Sequence, residues 1–193
     1  SRHMKYVNMI GIDCHIGSQI TEIEPIIEAI TEIKKIIDEL ASHGITLEHV
    51  DLGGGVGIRY RDEKPIPLPT YAKAIINAMG AHQHRLLFEP GRHVVANAGI
   101  LLTKVQLLKK NHDSSFAIVD AAMNDLIRPA LYGSWQNVIE VKKRPKKQTL
   151  SIVGPICETA DFFAHKREIA VEPGDLVAIE ASGAYGFVMS SNY

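Results

Sequence analysis

The sequence predicts an α/β segment followed by an all-β domain, with the change of texture near residue 98. Three observations carry this reading. Apolar runs in the first half end repeatedly in polar or glycine-rich residues, amphipathic helix patterns separate them, and beyond Ala98 the helical period gives way to short apolar runs between polar turns.

The first run, Tyr6 to Cys14, is apolar and β-branched and leads into His15, Gly17 and Ser18, as a buried strand ending in a functional loop does. From Pro25 to Leu40, Ile26, Ile27, Ile30, Ile33, Ile37 and Leu40 recur at helical spacing, and Gly44 is placed to end that helix. A second strand, Leu47 to Leu52, ends in Gly53, Gly54 and Gly55. A second helix, Tyr71 to Met79, follows a Pro-rich loop. A third strand, Leu86 to Phe88, ends in Glu89, Pro90, Gly91 and Arg92. Polar residues at strand carboxyl ends suit the active face of an α/β barrel, and equally the ligand crevice of an open doubly wound sheet. Three strands cannot close a barrel of eight, so the barrel reading requires more chain than these residues supply.

After Ala98, "AGILLTKVQLL", "SFAIVDA", "TLSIVGP" and "GDLVAIEA" read as strands of a second domain, giving a division at 1–97 and 98–193. The basic stretch from Lys142 to Lys147 reads as a solvated turn, because it lacks the interleaved aromatics of a single-strand nucleic-acid surface.

With 46% hydrophobic residues in 193, the chain can bury a real core. Its 21 basic and 22 acidic side chains leave a formal charge of −1, which offers no field for nucleic acid or an anionic membrane and points to a small-molecule partner. Two distant cysteines suit a reducing compartment rather than a disulfide scaffold or zinc module. No apolar run approaches the roughly 20 residues that span a bilayer, and "SRHMKYVNMIG" has no signal- or transit-peptide character, so a soluble cytoplasmic protein is expected.

Several residues could carry chemistry. Gly53, Gly54, Gly55 and Gly57 would let backbone N–H groups approach a phosphate, although the spacing matches neither a P-loop nor a Rossmann fingerprint and a tight turn explains it as well. Glu89, at the mouth of a mostly desolvated pocket, either pairs with Arg92 or contacts a cationic heterocycle while Arg92 binds an anion. Cys157 and Glu158 put a thiol beside a carboxylate in a loop; inert packing is the plainer reading of such a cysteine. Arg128 and Tyr132 fall close together, and Tyr185 sits between glycines. His82 and His84 have no carboxylate or cysteine at ligand spacing, so no metal is expected, and no G-x-S-x-G elbow marks a serine nucleophile.

In order, "GIDCHIGSQ", "DLGGGVGIRY", "LLFEPGRHVVANAG", "AAMNDLIRPALYG", "VGPICETAD" and "GAYGFVMSSNY" resemble the diaminopimelate decarboxylases, pyridoxal-phosphate enzymes of the alanine-racemase-like class. The resemblance covers essentially the whole chain. It implies the carboxyl-terminal part of a pyridoxal-phosphate-binding (β/α)8 barrel followed by a β-sandwich or β-barrel-like domain, and a reaction that converts meso-diaminopimelate to L-lysine and carbon dioxide. It implies that His15 stacks on the pyridine ring, that Ser18, Gly54 and Gly55 hold the phosphate, and that Glu89 keeps the pyridine nitrogen protonated. Gly91 and Arg92 fall at further cofactor positions, and Arg92 also at a substrate position. Arg128 and Tyr132 match substrate-binding positions, Cys157 the proton donor, Glu158 a ligand for a substrate amino group, and Tyr185 a residue touching cofactor and substrate. In the family Cys157 and Glu158 come from the neighbouring subunit, which implies a homodimer with shared sites.

The lysine that holds the cofactor covalently belongs on the first barrel strand, and no lysine here sits in that motif. The resemblance therefore implies a chain truncated at both ends that is not expected to turn over alone. Three other readings stay open at this point: a non-catalytic decarboxylase-like binding or regulatory protein, a decarboxylase of ornithine, arginine or carboxynorspermidine, and an amino-acid racemase. Glu89 speaks against the last, because racemases of this class resemble an arrangement with arginine near the pyridine nitrogen.

Overall fold

The computed structural model describes residues 4–193; Ser1, Arg2 and His3 of the opening segment lie outside the described residues. The chain divides into two compact units, one formed by residues up to 59 with 63–93, the other by 60–62 with 94–193.

The first unit alternates strand and helix: β1 (Gly11–Asp13), α1 (Glu24–Ser42), β2 (His49–Asp51), α2 (Leu68–Met79) and β3 (Arg85–Leu87). The strands lie parallel in the order β1-β2-β3, with Asp13 opposite Asp51 and Asp51 opposite Leu87, so all three release their chains at one edge. Proline in the first turn of each helix fixes φ where no N–H is needed. Gly44 at φ +73° and Gly80 at φ +65° end them in backbone conformations that Cβ disfavours. Ile26, Ile30 and Ile33 of α1 and Tyr71, Ile75 and Met79 of α2 pack on Val50 and Leu52, and burial pushes the Tyr71 phenol above its ordinary pKa.

The strand expected from Tyr6 is shorter than its apolar pattern. Tyr6, Val7, Met9 and Ile10 are exposed, and only the Ile10 carbonyl joins the ladder's edge, accepting the Glu48 and His49 N–H groups. Apolar character marks surface that some element could cover; it does not fix how far the backbone pairing extends.

The second unit contains β4 (Leu101–Lys110), β5 (Ser115–Val119), β6 (Val138–Glu140), β7 (Gln148–Val153), β8 (Phe162–Ile169) and β9 (Leu176–Ile179), with the short helix α4 (Arg128–Tyr132) in the long β5–β6 connection; the one-turn helix α3 (Gly91–Val95) leads into this unit. The sheet order is β6-β9-β4-β5-β7-β8, antiparallel except for the parallel β5–β7 pair. Its two edge strands approach one another, and Arg167 of β8 donates from Nη2 to the Gln136 carbonyl beside β6, so the sheet nearly closes into a barrel. Val105, Val119, Leu126, Ile152, Phe163, Val177 and Ile179 fill its interior.

The sequence pattern did not reveal β6 and β8. β6 is only three residues long, and β8 reads "FFAHKREI", where charged residues interrupt the alternation and Lys166 takes φ +47°. The basic stretch is not simply solvated either: Arg144 donates from Nε and Nη2 to both carboxylate oxygens of Asp175, at 2.6 and 2.9 Å, and lies 2.7 Å from Glu172. Among the described residues no helix is long and apolar enough to cross a membrane.

Candidate active site

The first unit gathers its chemistry at the carboxyl ends of β1, β2 and β3. The strands continue their hydrogen bonding beyond their formal ends: Cys14 N–H to the Asp51 carbonyl at 3.1 Å, Leu52 N–H to the Leu87 carbonyl at 3.0 Å, and Glu89 N–H to the Gly53 carbonyl at 2.8 Å. The loops that follow are therefore anchored to one another.

Glycine is required where they touch. A Cβ on Gly54 would stand 2.0 Å from the Glu89 carbonyl oxygen, and Gly55, at φ +91°, would place one 2.2 Å from the Gly17 carbonyl oxygen. The Gly54 N–H donates to His15 Nδ1 at 3.2 Å, which fixes the orientation of the ring. Ile20 N–H donates to the Gly55 carbonyl, Gly57 N–H to the Ile20 carbonyl, and the Gln19 side chain makes a two-way bond with the Ile58 backbone. Gln19, at φ +61°, and His93, whose Nδ1 lies 3.2 Å from the Gly57 carbonyl, are scaffold residues that the sequence reading missed. The "HIGSQ" wording was the only signal for Gln19.

Arg92 is buried at 6% exposure and donates from Nη2 to the Ser18 hydroxyl at 3.0 Å. Glu89 is exposed rather than desolvated as expected, because it lies at the open ends of the strands. Its carboxylate, with those of Asp13 and Asp51, forms a cluster whose nearest oxygens all lie within 4.8 Å of one another. The Asp51 carboxylate also accepts the Gly53 N–H at 2.9 Å. Asp13 and Asp51 entered the reading only as strand residues. Gly91 is exposed, and a Cβ there would meet nothing within 4 Å.

The second unit brings Arg128, Tyr132 and Tyr185 together. The Arg128 guanidinium carbon lies 5.3 Å from the Tyr132 ring centroid and 5.8 Å from that of Tyr185, which is held at φ +57° in its glycine-flanked loop. Cys157 and Glu158 sit on another loop, after β7; both are exposed, and the thiol is free.

Glycine, serine and arginine gathered at the ends of parallel strands, followed by a nearly closed sheet, point to a class. The chain belongs to the pyridoxal-dependent decarboxylases, residues 12–183 matching the family's C-terminal sheet domain. Among curated relatives it is 55% identical over 188 residues to diaminopimelate decarboxylase of Pseudomonas fluorescens, covering 97% of this chain and 45% of that protein. It is 52% identical over 185 residues to the Vibrio cholerae protein of the same name, covering 95% and 44%. Among solved structures it is similar to diaminopimelate decarboxylase from M. jannaschii in co-complex with L-lysine, with a TM-score of 0.95 and 42% identity over 100% of this chain and 46% of that one. The Helicobacter pylori enzyme complexed with L-lysine gives 0.94 and 39%, over 100% and 48%. The chain thus spans a little under half the length of the curated relatives it matches.

Proposed function

We propose that this chain is the carboxyl-terminal portion of a pyridoxal-phosphate-dependent diaminopimelate decarboxylase, which removes carbon dioxide from the D-centre of meso-2,6-diaminopimelate to give L-lysine. The observation that carries the reading is the convergence of Ser18, Arg92 and the Gly53–Gly55 loop at the ends of three parallel strands, in a chain 55% identical to an enzyme of that name.

A phosphorylated pyridine fits the first unit. Arg92 is a buried cation directed at the Ser18 hydroxyl. The Gly55 N–H donates to no protein acceptor among the described residues, and Gly17 and Gly91 leave open the space a Cβ would occupy. Together these offer the charge and donors that a phosphate takes. The carboxylates of Asp13, Asp51 and Glu89 suit a cationic ring nitrogen.

Pyridoxal phosphate, when bound, supplies a conjugated ring that takes up the electron pair released as carbon dioxide departs. The residues of this chain bind and orient. Ser18, Gly54, Gly55, Gly91 and Arg92 hold the phosphate, and His15, fixed by the Gly54 N–H, stacks on the ring. Glu89 accepts the hydrogen bond of the ring nitrogen and keeps its proton in place. Arg128 grips the substrate carboxylate that is retained, with Tyr132, Tyr185 and Arg92 completing the substrate contacts. Cys157 delivers a proton to the carbon that has lost its carboxylate, and Glu158 holds a substrate amino group.

In this reading the strands of the first unit belong to a (β/α)8 barrel, the protein is a cytoplasmic homodimer, and Cys157 and Glu158 serve the neighbouring subunit's site. Diaminopimelate is preferred to ornithine because the relatives at 55% and 52% identity are named diaminopimelate decarboxylase, whereas the lysine/ornithine decarboxylase of Vibrio vulnificus is 22% identical and shares the fold alone. The test uses the full-length protein with pyridoxal phosphate and, separately, meso-diaminopimelate, L-ornithine and L-arginine. Equimolar lysine and carbon dioxide from the first substrate only is expected; turnover of another in preference, or of none, overturns the proposal.

A further inference from the structure

Asp161 is 3% exposed, yet it lies on the loop that carries the exposed Cys157 and Glu158. Its carboxylate accepts two backbone donors at once: Ile156 N–H at Oδ2, 2.8 Å away, and Met123 N–H at Oδ1, 2.7 Å away. Ile156 immediately precedes Cys157. Met123 begins the turn that leads through Asp125 to Arg128.

The same residue closes its own loop through the backbone. Asp161 N–H donates to the Glu158 carbonyl at 3.1 Å, and its carbonyl accepts the Gly154 N–H at 3.1 Å. Gly154 has room for no side chain, since a Cβ there would stand 2.3 Å from Asp161 Oδ2. A buried carboxylate that lost either donor would be left with unsatisfied charge, a cost well above that of a neutral hydrogen bond, so both loops are bound to its position.

We propose that Asp161 is a positioning residue: its carboxylate ties the loop bearing Cys157 and Glu158 to the Met123 turn of the same chain, and so holds in place the proton-delivering thiol that this chain presents to the neighbouring subunit's site. The proposal rests on the decarboxylase reading for the roles of Cys157 and Glu158; the tether itself does not. Asparagine in this place keeps size but not function, because its Nδ2 is a donor and would face one of the two N–H groups. Asp161→Asn thus frees one side of the link while conserving shape. Gly154→Ala attacks the same contact from the opposite side with the carboxylate retained.

Two measurements on the full-length protein test this. The first is amide hydrogen exchange at Ile156 and Met123, with Val105 and Ile152 in the sheet interior as folding controls. Either substitution is expected to speed exchange at Ile156 or Met123 by about tenfold or more, with the sheet amides unmoved. Unchanged exchange at both loop positions in both variants, or equal acceleration in the sheet, overturns the tether.

The second is a double-mutant cycle on kcat with Cys157→Ala, normalised to bound pyridoxal phosphate. Misplacement of a reacting group costs on the order of a hundredfold, so Asp161→Asn is expected to lower kcat by about tenfold to a hundredfold in the native background and by less than about twofold beside Cys157→Ala. An equal loss in both backgrounds overturns the positioning role and leaves Asp161 a plain stabilising residue. Absence of any decarboxylation by the native full-length protein defeats the functional reading, and with it the positioning role; the tether is still decided by exchange alone.

Discussion

Arg92 and Ser18, 74 positions apart, are joined by a hydrogen bond of 3.0 Å from Nη2 to Oγ, made by a guanidinium almost wholly withdrawn from solvent. The bond fixes the "HIGSQ" loop after β1 against the first turn after β3. Lysine offers a point charge without the planar fork, so Arg92→Lys is expected to weaken pyridoxal-phosphate binding by the full-length protein by about tenfold or more. Titration of the apoprotein, followed by cofactor absorbance, measures it; unchanged affinity would remove Arg92 from the phosphate site.

Gly54→Ala tests the close approach of two strand ends. The added methyl would meet the Glu89 carbonyl oxygen at 2.0 Å, and the bond from Glu89 N–H to the Gly53 carbonyl holds that oxygen's residue in place. A loss of roughly 2–3 kcal/mol in unfolding free energy is expected, with cofactor affinity falling as well. Urea denaturation with and without pyridoxal phosphate separates the two effects.

Arg128→Lys tests the aromatic clamp. The guanidinium lies over both Tyr132 and Tyr185, a geometry that suits a flat delocalised cation. Loss of bidentate grip on the retained carboxylate should raise KM for meso-diaminopimelate by about tenfold while kcat changes less. A fall in kcat at constant KM would assign Arg128 to the reacting centre instead.

Asp175 carries a pH prediction. The hydrogen bond from Arg144, aided by the Glu172 N–H, lowers its pKa to about 2. A carboxylate depressed in the folded state stabilises above its unfolded pKa, near 4, and loses that contribution as pH falls through the folded value. The difference in Tm between the native protein and Asp175→Asn should be constant above about pH 5 and shrink steadily from about pH 4 towards pH 2. A difference independent of pH would mean that the Arg144 contact does not depend on the ionised carboxylate.

Much of this was legible in the sequence because it rests on local period and on residues with restricted conformations. Ile26, Ile30 and Ile33 spelled out α1, and Gly44 ended it; the glycines after β2 marked a loop of restricted conformation, although the carbonyls of Glu89 and Gly17 that crowd Gly54 and Gly55 were not foreseen. The nearness of Arg128 to Tyr132 followed from their closeness in sequence. Illegible were the relationships made across long separations. Nothing local to Asp161 marks it as the buried acceptor of Met123 and Ile156, and no pattern near Arg144 foretells Asp175. Glu89 misled for the same reason: the apolar strand before it suggested desolvation, whereas exposure depends on what lies over the strand's end.

The pairing of β4 with β9 limits how early the second unit can complete its sheet. β4 is followed directly by its partner β5, but its first residues, Leu101–Lys104, pair only with Leu176–Ile179, so Leu101 must find Ile179 across most of the unit. Until β7 and β9 are made, the nascent hairpin has both outer edges open to a passing strand, and β4's stays open longest. High contact order of this kind slows folding, and Lys104, in the stretch that β9 pairs, supplies charge that discourages mispairing there in the meantime.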